Sequence, residues 1–173
     1  MSLLYLLLSA GISANTALPV PPLPSEVVSR ALSYLGRPYG AEQRKGPNLD
    51  CSGFVRDVFA GFGVHLPATS REQVLVGAAV QRRELRTGDL VFFSSRSSGP
   101  GKVGHVGLVI DVSASGSTWI VHSSTRGVRI DSLGQSGLGA RFIEARRILS
   151  DRPADLPSAS VSDFDDEEDA NLL

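Results

Sequence analysis

The chain has 173 residues, of which 42 % are hydrophobic, with 17 Lys and Arg against 18 Asp and Glu. That length suits one domain with a proper core and is too short for two ordinary ones, and a single cysteine excludes an intramolecular disulfide. Because Asp163, Asp165, Asp166, Glu167, Glu168 and Asp169 crowd one end, residues 1–161 carry 17 basic and 12 acidic side chains, a net of +5; such a body suits an anionic polymer, either wall material or nucleic acid, but no basic–aromatic interleaving or zinc-finger spacing supports nucleic acid, and none is expected as a partner.

The chain opens with Leu3-Leu4-Tyr5-Leu6-Leu7-Leu8 running into small residues. This reads as a short export signal over 1–17, too short for a stable membrane span although no Lys or Arg precedes it. A proline-rich linker over 18–24 follows. The folded unit is expected over 25–150, and the acidic stretch over 151–173 is expected to be disordered, since like charges without apolar area cannot offset ordering entropy.

Ser25 is expected to cap a first helix whose face carries Val27, Val28, Ala31, Leu32 and Leu35, ending at Gly36 before Arg37-Pro38. A second helix is predicted from Cys51, because Cys51, Phe54, Val55, Val58, Phe59 and Phe62 recur at helical spacing. Asp50 can accept its first amides, and Gly61-Phe62-Gly63 can end it. Cys51 then sits at the positive end of the helix dipole, where a thiolate is favoured. The same stripe also fits a small buried hydrophobe, so the cysteine needs partners before it can be read as reactive. Further on, both Thr69-x-x-Glu72 and Ser70-x-x-Gln73 fit a capping box for a short helix.

From Gly88 the pattern turns to β, with strands predicted over 89–93, 105–111, 118–123 and 142–149 and a short one over 128–130. Helices followed by a mostly antiparallel sheet imply an α+β fold with the cysteine helix packed on the sheet. If the turn after His105-Val106-Gly107-Leu108-Val109-Ile110 centres on Ser113-Ala114, His105 lies opposite His122 on one sheet face. Two imidazoles paired across strands, with a helix-start cysteine, supply what thiol chemistry requires. A thiol of pKa about 8.5 is mostly protonated near neutrality and needs a base; the base returns the proton to the leaving amine, and a third polar group holds its tautomer. Cys51, His105 and His122 fill these roles, with the Ser52 amide as oxyanion donor. His65 reads as structural, and no cluster of His65, His105 and His122 at ligand spacing supports a metal.

In order, Leu35-Gly36-Arg37-Pro38-Tyr39, Asp50-Cys51-Ser52-Gly53-Phe54-Val55, Leu66-Pro67 with Thr69-Ser70, Gly88-Asp89-Leu90-Val91-Phe92-Phe93, Gly104-His105-Val106-Gly107, Val121-His122 and Ala145-Arg146-Arg147 resemble the NlpC/P60 family of cell-wall cysteine peptidases. The resemblance implies a papain-like core, Cys51 as nucleophile, His105 as base and His122 as third member. It places Tyr39, Asp50 and Ser52 along the substrate site. It also implies hydrolysis of an amide in the peptidoglycan stem peptide, commonly between D-glutamate and a diamino acid such as diaminopimelate, with no metal or organic cofactor. Two departures bear on the groove: residues 40–46 stand where the family often has Trp-Gly-Gly, and Ala68 stands where arginine is frequent. The leading expectation is an exported endopeptidase, periplasmic or secreted. The alternatives are an amidase cutting between sugar and peptide, or a non-catalytic wall, phage-tail or secretion-apparatus component; in the last setting the chain would be delivered or regulated by another protein.

Overall fold

A computed structural model describes residues 21–40, 48–94, 101–135 and 137–149. The expected export signal, the acidic stretch and residues 41–47 lie outside the described residues, apart from the last residues of the linker. Three helices, α1 (Pro24–Leu32), α2 (Cys51–Ala60) and α3 (Ser70–Gln73), precede an antiparallel sheet. Its strands are β1 (Ala78–Val80), β2 (Leu90–Ser94), β3 (Val103–Val112), β4 (Thr118–Ser124), β5 (Gly127–Ser132) and β6 (Phe142–Arg147), in the order β1-β6-β2-β3-β4-β5. The α+β expectation therefore holds. No helix among the described residues is long and apolar enough to cross a membrane.

Several boundaries differ from expectation for local reasons. Proline is tolerated in the first helical turn because it lacks only an amide that would be unpaired there. Accordingly α1 begins at Pro24, so Ser25 lies within the first turn, and the Glu26 carboxylate reaches back to the Leu23 amide at 2.7 Å. At α3 the two overlapping capping boxes are resolved in favour of Thr69 and Glu72, each bonding the other's backbone amide. Gln73 is instead fully buried, its Nε2 donating to the carbonyls of Ser52 and Pro67 at 3.1 and 2.9 Å. This ties α3 to the first turn of α2.

Alternation along the strands fills both faces of the sheet. One face gives Leu90, Phe92, Val106, Leu108 and Val121 to a core shared with Val27, Ala31, Phe54, Val55, Val58 and Phe59 of the helices. The other packs Val91, Phe93, Val109, Ile120 and Ala145 with Leu85, Leu133 and Leu138 from connecting segments. At one end of the sheet, the buried Asp89 carboxylate accepts both Nε and Nη2 of Arg147, at 2.8 and 2.9 Å, and the Arg86 amide at 2.8 Å. A planar guanidinium fork matches a carboxylate in this way, and the pair locks the start of β2 to the end of β6.

The predicted β3–β4 register is two residues off at the site and three at the turn. Leu108 faces Val121 and Val109 faces Ile120, but a bulge at Ile110 shifts the pairing so that Asp111 faces Trp119 and Val112 faces Thr118. A five-residue connection over 113–117, closed by the Ser113 amide on the Ser117 carbonyl at 2.9 Å, replaces the expected tight turn. Because side chains alternate with period two, the even slip at the site leaves His105 and His122 on the same face. They meet diagonally rather than directly opposite.

Candidate active site

The ladder between β3 and β4 ends at Leu108–Val121, whereas β3 continues back along β2 to Val103 and β4 continues along β5 to Ser124. The two strands therefore part beside His105 and His122, and the start of α2 occupies the gap. Ser123 Oγ donates to the Leu49 carbonyl, fixing the segment just before the helix. The Val106 amide, left without a strand partner on that side, points at the Cys51 sulfur.

Local chemistry holds the helix start in this wedge. Asp50 is the N-cap, its Oδ1 accepting the Gly53 amide at 2.7 Å and the Ser52 hydroxyl at 2.9 Å. Asn48 Nδ2 donates to the other Asp50 oxygen at 3.1 Å. Gly53 is required by close approach, since a Cβ there would lie 1.9 Å from the Asn48 carbonyl oxygen. Asp50 and Ser52, expected along the substrate site, are here primarily the frame that orients the Cys51 backbone.

Cys51 is 8 % exposed and packs partly into the helix–sheet core. Burial pushes its thiol above the ordinary thiol range, and the Asp50 charge adds to that; amides of Val106, Ser52 and Cys51 itself oppose the rise without overcoming it. The helix-start argument for a ready thiolate is thus overridden by desolvation, which disfavours the charged form. The resting group is a thiol.

His105 Nε2 lies 2.7 Å from His122 Nδ1, with the rings close to perpendicular at 82°. Buried Phe93 stands 5.9 Å from the His105 ring, centroid to centroid. Burial, then the neighbouring His122 and Arg141, lowers His105 to about 3. Burial also lowers His122, against the raising effect of Asp131. Both imidazoles are neutral near pH 7. Gly107 makes room for them: a Cβ at that position would come within 3.3 Å of His122 Cβ and 3.1 Å of Ile120 Cδ1. The second glycine of Gly104-His105-Val106-Gly107 is therefore a packing requirement of the histidine pair.

Beyond His122 stands Asp131, which the sequence reading missed. His122 Nε2 is 2.9 Å from Asp131 Oδ2, and Arg129 Nη2 donates to Asp131 Oδ1 at 2.8 Å. The available signal was parity: β5 pairs His122 with Arg129, which puts Arg129 and Asp131 on the histidine face.

Tyr39 joins the thiol to the histidines. Its phenol is raised chiefly by burial, with the acidic Cys51 and Asp50 groups close by adding to the rise, and the same residue lines a groove of about 560 Å³ with His105, His122, Arg126, Asp131 and Arg141. His65 is exposed and lies apart from this groove. Among the described residues no group of three or more His, Cys, Asp and Glu side chains is arranged to hold a metal ion.

Proteins of similar sequence and fold are known. The chain is 40 % identical over 130 residues to the murein DD-endopeptidase MepS/murein LD-carboxypeptidase of Escherichia coli (strain K12), covering 73 % of this chain and 63 % of that protein. It is 32 % identical over 130 residues to the gamma-D-glutamyl-L-lysine dipeptidyl-peptidase of Bacillus cereus, covering 74 % of this chain and 37 % of that protein. The chain thus spans less than two thirds of the length of either relative. A solved NlpC/P60 family protein from Bacillus cereus superposes with a TM-score of 0.64 at 30 % identity, covering 76 % of this chain and 42 % of that one. The NlpC/P60 family model matches residues 36–147, which contain Tyr39, Cys51, His105, His122 and Asp131, and the chain belongs to that family.

Proposed function

We propose that this protein is a cysteine peptidase that hydrolyses amide bonds in peptidoglycan stem peptides. The observation that carries the reading is the wedge between β3 and β4: it sets the Cys51 sulfur on the Val106 amide, one residue from a histidine whose Nε2 is already engaged by His122. His105 Nδ1 is then the nitrogen left for proton transfer.

Catalysis proceeds from the uncharged pair. The Cys51 sulfur attacks the amide carbonyl while His105 takes the thiol proton, and the oxygen gains negative charge beside the first amides of α2, including that of Ser52. As the C–N bond breaks, the imidazolium gives its proton to the leaving amine. Water, deprotonated by His105, then cleaves the thioester to a carboxylate and restores the thiol. Transfer between two buried neutral groups creates a charge pair, so substrate that excludes water and supplies polar contacts drives the step as much as the resting pKa values do.

The groove fits an anionic peptide. Arg126 and Arg141 line it beside Tyr39 and the histidines, and stem peptides carry free carboxylates that arginine recognises well. We propose the D-glutamyl–diamino acid bond as the site of cleavage, as in the name of the dipeptidyl-peptidase relative. The higher identity to a protein named as a DD-endopeptidase favours a second reading, cleavage between two D-configured residues. The apolar Leu3–Leu8 run supports export to the wall.

Purified peptidoglycan of diaminopimelate and lysine types, incubated with the wild-type protein and with Cys51→Ala, tests this directly. Mass spectrometry should show fragments only with the wild type, with new amino termini on the diamino acid. Fragment masses separate the two peptide bonds from amidase cleavage, and absence of Cys51-dependent fragments from both walls would overturn the hydrolase reading.

A further inference from the structure

We propose that Asp131 is a positioning residue that sets the tautomers of both histidines, and so decides which nitrogen of His105 can accept a proton. This rests on the reading of Cys51 and His105 as nucleophile and base. Hydrogen-bond polarity along the Asp131–His122–His105 chain has one allowed direction. An ionised carboxylate only accepts, so at 2.9 Å from Asp131 Oδ2 the His122 Nε2 must carry the hydrogen. Neutral His122 then has its lone pair on Nδ1. That lone pair faces His105 Nε2 at 2.7 Å, so His105 Nε2 carries the hydrogen and Nδ1 holds the free lone pair.

His122 alone cannot impose this order, because a neutral imidazole can donate or accept through either nitrogen. Without the carboxylate, the reverse order satisfies the His105–His122 bond equally well and leaves His105 with a hydrogen on Nδ1, unable to act as base. Both rings are held neutral by burial, so tautomer rather than charge is the variable.

Arg129 makes the device specific for a carboxylate. Its Nη2 donates to Asp131 Oδ1 at 2.8 Å, and a guanidinium has no acceptor. In Asp131→Asn the amide oxygen must therefore stay with Arg129, which turns the amide NH2 toward His122 Nε2. That demands an acceptor where the wild type has a donor, and it reverses the whole chain. Asp131→Ala merely removes the bias. The isosteric change should be the more damaging of the two.

The test uses the full chain, with peptidoglycan turnover and 15N NMR of labelled histidines. In the wild type, His105 and His122 should both show the Nε2–H tautomer. Asp131→Asn should lower kcat by roughly 10²–10⁴-fold with KM little changed, the scale associated with a wrongly held catalytic imidazole, and should move both histidines to Nδ1–H. Asp131→Ala should lose only about tenfold, with mixed tautomers. Adding Arg129→Ala to Asp131→Asn frees the amide to turn and should recover much of the rate, which a purely structural loss would not do. Three results would overturn the proposal: a wild-type His105 with the hydrogen on Nδ1, an Asp131→Asn enzyme at wild-type rate, or no rescue in the double variant with the tautomers unchanged. The wild-type spectrum needs no variant to fold and no wall substrate to be cleaved, so it separates failure of this proposal from failure of the peptidase reading.

Discussion

Asp89 and Asp131 are both sheet-associated aspartates held by an arginine, and they do opposite things with that arrangement. Asp89 gives both oxygens to Arg147 and one also to the Arg86 amide, so its charge is matched and its acceptors are occupied by groups that never titrate. Asp131 gives one oxygen to Arg129 and the other to an imidazole. The first closes a contact between strands; the second transmits direction into a hydrogen-bond chain that ends at His105. A carboxylate's role here follows from what receives its second oxygen, and burial or arginine pairing alone does not distinguish the two.

The sharpest way to break this contrast is at the histidine end. His105→Ala should cost roughly 10²–10⁴-fold in kcat, the usual worth of a general base, while thermal stability changes little; retention of turnover would remove the reason for treating the Asp131 chain as functional. Asp89→Asn should do the reverse. It leaves Arg147 facing a neutral group in a mostly buried site and should cost about 3 kcal/mol in chemical denaturation, with kcat per folded molecule preserved. If kcat collapsed in a fully folded Asp89→Asn protein, the division between the two ends of the sheet would fail.

Smaller effects sharpen the account of what holds the thiol. Gly53→Ala drives a methyl into the Asn48 carbonyl, and should cost about 2 kcal/mol with slower Cys51 alkylation. Acid sensitivity should come from the histidine end as well. His105 is lowered to about 3 from 6.5, so between those values the unfolded chain binds more protons than the folded one. Stability must then rise with pH across that window and fall as pH drops through it, by at most about 1.4 kcal/mol per pH unit for one imidazole. His105→Gln should flatten that slope in urea titrations. Thr69→Ala, which removes the cap of α3, should cost about 1 kcal/mol and leave turnover nearly unchanged.

How far the site was legible depended on the range of the forces involved. The cysteine helix was legible because a 3.6-residue stripe and an adjacent Asp50 are local, and its observed start at Cys51 is the expected one. The histidine pair was legible through parity, which survives an even slip even when the register is misjudged. The register itself was not, because it depends on the bulge at Ile110 and the length of the 113–117 connection. β1 was missed since Ala78–Val80 is three residues long and is defined by pairing with distant β6. Asp131 was missed because its significance arises only when β5 lies beside β4. The upward shift of the thiol was not legible, because the helix-start amides are visible in sequence while the burial that outweighs them is a property of the packed core.

One contact far from the thiol bears on how this domain can be rearranged. Pro24, at the start of α1, and Leu149, just after β6, both pack against Gly88, where an added Cβ would sit 3.1 and 3.4 Å from them. The start of the first helix and the segment after the last strand are thus neighbours in space, although Pro24 and Leu149 are 125 positions apart in numbering. A short bridge could join them and new termini could be opened in the surface connection over 113–117 without interrupting the strand gap that holds Cys51. Such a circular permutant should fold with the same sheet order, and the same adjacency lets the domain be inserted into a loop of another protein as a single cassette.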